Sequence, residues 1–177
     1  MQPRRTGQGT SDGLAPARGA IDRYLAHVSQ GNVEIVRSVF EPLAQINVAE
    51  IDWDTEVIRE ALGRAYSPDI ELRTLASGTG TGLSEVYRGL DGLASYLRGW
   101  LEPFSDYRVE NLDYIEAGDC VLVPSRQWGI GRSSGARVEI ELTTLYALRD
   151  GKIERAHQFD TLDEALEAAQ SGSTTKG

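Results

Sequence analysis

An imidazole and a guanidinium on nearby extended segments, walled by aromatic rings, are the part of this sequence most able to do chemistry. His157 lies in the run Lys152 to Phe159, where Ile153, Arg155, His157 and Phe159 alternate with Lys152, Glu154, Ala156 and Gln158. The odd-numbered face is largely apolar, so the imidazole is expected on the buried side of a strand. With an ordinary pKa near ~6.5, imidazole exchanges protons around neutrality. Arg126 shares its strand phase with Trp128 and Ile130, and a guanidinium can hold a developing negative oxygen. If His157 points inward, Leu142, Thr144 and Tyr146 of the preceding strand should share its hollow with Arg126, Trp128 and Ile130. Trp100 or Tyr96 would then supply a wall from a helix. The chemistry this slot predicts is acid/base proton transfer, with His157 and Arg126 catalytic and Trp128, Thr144, Tyr146, Trp100 and Tyr96 contacting substrate. Each group also has a plain structural reading: a hydrogen-bonded histidine, an ion-paired arginine, and rings that only line a cavity.

The elements that must position these groups follow from periodicity and turn chemistry. Val138, Ile140, Leu142, Thr144, Tyr146 and Leu148 alternate with wetter residues, which predicts a strand. Asp150-Gly151 then supplies a tight hairpin turn into the strand bearing His157. Asp160 is expected to cap a last helix with Leu162, Ala165, Leu166 and Ala169 as its apolar stripe. Upstream, strands are predicted over about Tyr107 to Glu116 and Cys120 to Gly131, joined by Gly118-Asp119 and followed by a Ser133-Ser134-Gly135 turn. Before them come helical patterns. Ile21, Tyr24, Leu25 and Val28 suggest a short helix closed by Gly31, with His27 on its surface, and Asn32 is expected to cap a second helix on Val33, Val36, Phe40 and Leu43. Pro42 should bend or end that helix.

A third helix opens at Asp52 to Thr55, carries Val57, Ile58, Ala61, Leu62 and Ala65, and is stopped by Ser67-Pro68-Asp69. Ile70 to Leu75 reads as a short strand, and Ser77 to Gly82 as a loop lacking the Lys-Ser/Thr of a phosphate-binding loop. After the extended Glu85 to Gly89, Asp91 is expected to cap a helix on Leu93, Tyr96, Leu97, Trp100, Leu101 and Phe104 that ends at Pro103. Helices first and a four-stranded antiparallel meander afterwards imply an α+β fold with helices against one face of a curved sheet.

The chain's 177 residues, 40% of them hydrophobic, suit one well-buried core. Residues 1–19 and 171–177 are expected to be disordered tails around a single domain at 20–170. A net charge of -9 argues against nucleic acid or an anionic membrane as partner. The lone Cys120 cannot form an internal disulfide, and no Cys/His cluster has zinc spacing. No metal or cofactor is expected. Without a long apolar run or a secretory signal, cytoplasm is the expected location.

In order along the chain, Asn32-Val33-Glu34-Ile35-Val36-Arg37, Ser67 to Leu72, Tyr87 to Leu93, Glu116 to Val121, Ser134-Gly135 and Asp150 to Ile153 follow one another, and Phe159-Asp160 enters the last helix. Over about Asn32 to Gln170 this series resembles the SnoaL-like branch of the superfamily that holds ketosteroid isomerase, limonene epoxide hydrolase, scytalone dehydratase and nuclear transport factor 2. The resemblance implies a conical, strongly curved, mostly antiparallel sheet with helices packed on its concave face around an apolar pocket. It implies a cofactor-independent cyclase, isomerase or dehydratase acting on a small cyclic or polyketide-like ketone, or a non-catalytic binder of an apolar or aromatic molecule. A homodimer through the sheet is also implied, with Arg137, Glu139 and Glu141 on that face.

The family's own catalytic groups carry over only in part. The position of the cyclases' catalytic aspartate, three residues before the aspartate that starts the final helix, is held here by His157. The epoxide hydrolase's arginine matches Arg126, but its partner aspartate is replaced by Trp128. Ketosteroid isomerase's tyrosine, oxyanion-hole aspartate and general base fall near Val39, Thr144 and Thr74, and Tyr24 matches that tyrosine only under another alignment. Steroid-isomerase and epoxide-hydrolase chemistries are therefore not expected.

Overall fold

A computed structural model describes residues 31–75 and 84–173. The tail at 1–19, the first helix with His27, the Ser77 to Gly82 run and residues 174–177 lie outside the described residues. From Asn32 onward the described residues belong to one compact unit.

Residues 31–40 form helix α1, so Gly31 does not end a helix and Asn32 does not cap one. Pro42 stops α1 as expected: it lies in the first turn of a 3-10 helix, Glu41–Gln45, and a second such turn follows at Val48–Glu50. Helix α2, Glu56–Ala65, begins where the Thr55 side chain accepts the Ile58 N–H. Its buried stripe is narrower than the sequence suggests. Ile58, Leu62 and Ala65 pack inward, whereas Val57 is 75% exposed.

Strand β1, Tyr66–Arg73, takes up directly from α2 and runs through Pro68. Its ladder with the last strand is irregular between Tyr66 and Glu71, and this tolerates a residue without an N–H. Strand β2, Val86–Arg88, leads into helix α3, Gly89–Leu101, which starts before Asp91. Asp91 instead accepts from Arg59 of α2 at 2.8 Å.

The remaining strands are β3 Phe104–Asn111, β4 Ile115–Ala117, β5 Cys120–Gly131, β6 Arg137–Arg149 and β7 Lys152–Phe159. The single strand expected from Tyr107 to Glu116 is thus two, because the chain leaves the ladder at residues 112–114. The four-stranded meander is part of a larger sheet. Seven strands run in the order β2-β1-β7-β6-β5-β3, with β4 also on β5. Only the β1–β7 pair is parallel.

Asp150 and Gly151, at φ 52° and 75°, form the expected left-handed turn between β6 and β7. The last helix, α4, spans Leu162–Ser173, past the boundary expected at Gln170. At its start the Thr161 hydroxyl accepts the Glu164 N–H, a capping role the sequence reading gave to Asp160.

Two layers of apolar side chains sandwich the sheet. On one face, Leu62 and Leu93 of α2 and α3 meet Ile70, Leu72, Ile153 and Ala156, while Val36 of α1 meets Val121 and Val123. On the other, Ala165 and Ala169 of α4 cover Leu122, Leu145 and Ala147. The first three helices therefore define an inner face, and α4 alone lies on the outer one. No helix among the described residues is long and apolar enough to cross a membrane.

Candidate functional site

Strand register decides which side chains meet in the hollow. Gln158 pairs with Thr144, Thr144 with Val123, Leu142 with Ser125, and Ile140 with Gln127. Ser125 and Gln127 continue to Asn111 and Val109 of β3, and Ala156 continues to Leu72 of β1. These residues form the inner face, since register partners project to the same side of a sheet.

Two adjoining cavities lie between this face and α3. The outer, of about 310 Å³, is bounded by Thr74, Leu75, Glu85, Tyr87, Gly99, Ile140 and Leu142. The deeper, of about 140 Å³, reaches Trp53, Tyr107, Asn111, Ser125, Thr144 and Tyr146. Tyr96, Trp100, Gln127 and Gln158 wall both. The expected cavity residues Leu142, Thr144, Tyr146, Trp100 and Tyr96 are therefore brought together.

The other half of the expected site is not. His157 pairs with Leu145 and Arg73, and Arg126 with Glu141 and Glu110, so both project from the outer face. The Arg126 Nε donates to Glu141 Oε1 at 2.9 Å, and that carboxylate raises the guanidinium's pKa. Trp128 is on the same outer face, capped by the Arg137 guanidinium 4.4 Å from its ring centre, and Ile130 pairs there with Asp106 and Arg137. Arg137 also donates to Glu139 at 2.8 Å, so a row of paired charges that includes Arg126 and Glu141 runs along this face. The imidazole packs against Phe159 with the rings tilted by 39° and their centres 4.1 Å apart, in a groove beside α4.

Two local irregularities cause this division. The turn between β5 and β6 is closed by Gly131 and Ala136, so it holds residues 132–135 rather than three residues, and that extra residue turns Arg126 and Trp128 outward. In β7 the ladder passes from Leu148–Ile153 to Ala147–Arg155, leaving Glu154 as a bulge. A regular ladder from Asp150-Gly151 would have set His157 opposite Thr144; the bulge puts Gln158 there and turns His157 outward.

Burial depresses the His157 pKa, as does the Arg73 cation, while Glu71 works against them. The folded chain therefore binds this proton less readily than the unfolded one. Stability from this source is complete above the unfolded value of about 6.5 and is lost as pH falls below it. Melting temperatures measured from neutral to mildly acidic pH should fall more steeply for the native chain than for His157→Gln. Parallel slopes would remove the histidine from the acid response.

The polar groups of the hollow form short chains. Gln158 accepts the Leu75 N–H at 3.3 Å and donates to the Tyr96 hydroxyl at 3.0 Å. The Trp100 indole donates to the Tyr107 hydroxyl at 2.9 Å, which donates to Gln127 Oε1 at 2.8 Å; Gln127 Nε2 donates to Ser125 Oγ at 3.2 Å. Gly129 makes room for Tyr107, because a Cβ there would stand 2.7 Å from its ring and 2.5 Å from that of Phe104.

Desolvation raises the phenol pKa of Tyr96, that of Tyr107 to about 12, and that of Tyr146 well above its ordinary value. All three are neutral at physiological pH. At the mouth Tyr87 donates to Glu85 Oε2 at 2.6 Å, and this bond is the first cause of a Tyr87 pKa near about 12. Glu85 is the only charged side chain among the described lining residues of either cavity.

Sequence reasoning missed Gln127, Gln158, Tyr107, Tyr87 and Glu85. Gln127 and Gln158 sit in the phases read as outward, and the one available signal was that an uncharged amide is cheaper to enclose than the guanidinium or imidazole beside it.

Comparison with known proteins agrees with this fold. No curated protein matches the chain. Solved structures of similar fold include a SnoaL-like protein assigned as a polyketide cyclase from Jannaschia sp. CCS1, with 20% identity over 79% of this chain and 91% of that one, TM-score 0.57. A nuclear transport factor 2-like protein of unknown function from Burkholderia pseudomallei K96243 shares 14% identity over 77% and 95% of the two chains, TM-score 0.58. A phenazine biosynthesis-related protein from Pseudomonas aeruginosa shares 21% over 82% and 88%, TM-score 0.53. The family model of the SnoaL-like domain matches residues 47–156, from the turn before α2 to the inner-face Ala156, and the chain belongs to that family.

Proposed function

We propose that the protein binds a flat, uncharged small molecule in the hollow of its sheet. The observation behind this reading is the lining itself: aromatic rings, aliphatic groups, neutral amides and hydroxyls, with the lone carboxylate of Glu85 at the rim. Enclosed apolar surface contributes about 25 cal/mol per Å². An ionised ligand would lose its hydration with no cation among the described lining residues to replace it. Titration calorimetry with tetralin, 1-tetralone and 1-naphthoate tests this. The neutral compounds should bind, and the carboxylate about 30-fold more weakly or worse. Naphthoate binding as well as tetralone would sink the reading.

A catalytic reading rests on one observation, the 2.6 Å bond between the Glu85 carboxylate and the Tyr87 hydroxyl at the cavity mouth. That bond marks a carboxylate base at the cavity, which can take a proton next to a carbonyl while the neutral phenol of Tyr96 on the inner wall donates to the resulting oxygen. Deuterium uptake at the α-carbon of bound tetralone, abolished in Glu85→Gln, would establish turnover. Exchange no faster than in buffer would leave a binding protein.

A further inference from the structure

We propose that two hydrogen-bond relays of fixed direction make the interior of the hollow a donor-lined site, selecting neutral ligands whose oxygen accepts but does not donate, as in aryl ketones and quinones. This rests on the reading above that the hollow takes an uncharged ligand.

The first relay starts at a group that can only donate. The Leu75 backbone N–H points at Gln158 at 3.3 Å, so the amide oxygen must face it. The reversed amide would set N–H against N–H. The Gln158 nitrogen is thereby turned to Tyr96, 3.0 Å away, and its N–H occupies a lone pair of the phenol. No described residue accepts the Tyr96 hydrogen, and Tyr96 walls both cavities. A donated bond also explains why Gln158 lowers the phenol's pKa against the larger effect of burial.

The second relay begins at the Trp100 indole, again donor only. Tyr107, having accepted it, passes its own hydrogen to Gln127 Oε1 at 2.8 Å. The reverse amide orientation would take that acceptor from a buried hydroxyl. The Gln127 nitrogen is left with one hydrogen for Ser125 and one that no described residue accepts.

Each relay therefore ends in a donor at the cavity wall. At the mouth the polarity is opposite, since Glu85 accepts from Tyr87. A ligand should enter with its carbonyl first.

The test is titration calorimetry with tetralin, 1-tetralone and 1-tetralol, which share a carbon frame and differ in the oxygen. The native protein should bind the ketone about tenfold more tightly than the alcohol, which accepts the same bonds but must leave its own O–H unpaired beside those donors. Tyr96→Phe should erase that preference, the ketone losing about tenfold relative to tetralin measured in the same variant. Gln158→Glu should invert or cancel it, because a carboxylate accepts from both Leu75 and Tyr96 and leaves the phenol oxygen as an acceptor.

Equal affinity for all three compounds in the native protein would overturn the donor-lined site and leave the neutral pocket standing. Failure of all three to bind would overturn the pocket and this inference with it. A ketone preference that survives in Tyr96→Phe would overturn the relay, and this variant decides the matter should Gln158→Glu not fold.

Discussion

Deleting Ala156 is expected to unfold the protein, whereas deleting Glu154 is expected to leave it folded and Glu154→Ala to cost under about 1 kcal/mol. The substitution removes an ion pair with Arg149, whose own side chain is 68% exposed, and such pairs contribute little. Removing the bulge residue itself leaves a regular ladder in the native register, with Arg155 still opposite Ala147 and Ala156 opposite Tyr146, so Ile153 and Ala156, 0% and 5% exposed, keep the inner face. Without Ala156, one of two things must give. If His157 and Gln158 keep their partners, the bulge closes and Arg155 moves into the core position of Ala156. Burying an unpaired guanidinium among apolar groups costs several kcal/mol, about the whole stability of a domain this size. If instead the bulge is kept, His157 takes that position and Gln158 leaves the hollow. Thermal or urea denaturation followed by circular dichroism measures all three variants. An Ala156 deletion melting within a few degrees of Glu154→Ala would show that register is set elsewhere.

Leu142→Trp is expected to abolish ligand binding, by at least about 100-fold, with little loss of stability. Leu142 is 5% exposed yet borders the outer cavity, so an indole there can grow into about 310 Å³ of space rather than into packed atoms. The usual strain of about 1–3 kcal/mol for overpacking should be reduced accordingly. His157→Ala and Arg126→Ala, changes on the outer face, should leave the affinity for tetralone within about threefold. The comparison is sharp because all three positions lie on adjacent strands. If His157→Ala removed binding and Leu142→Trp did not, the ligand would sit in the outer groove beside α4.

Much of the fold was present in residue patterns. The spans of β5 and β7, the Asp150-Gly151 turn, the Pro42 break after α1, and the α3 wall of Tyr96, Leu97 and Trp100 all follow from local alternation and turn chemistry. The half of the site on β6 did too, because Leu142, Thr144 and Tyr146 keep one phase along an unbroken strand.

What failed was the phase between strands, and it failed twice by one residue. Ile153 and Phe159 made the odd-numbered side of β7 look uniformly buried. In the structure Ile153 packs inside and Phe159 packs outside beneath α4, with the bulge between them. The loop between β5 and β6 holds one residue more than Ser133-Ser134-Gly135, and every side chain of β5 changes face with it.

The sequence by itself thus determined the elements, their order and the aromatic wall of the pocket, since these depend on periodicities within about ten residues. Only the tertiary structure decided that two amides, rather than an imidazole and a guanidinium, look into the hollow. Which face a strand presents is settled by pairing with its neighbours, where a one-residue shift costs the isolated strand nothing and reverses every side chain.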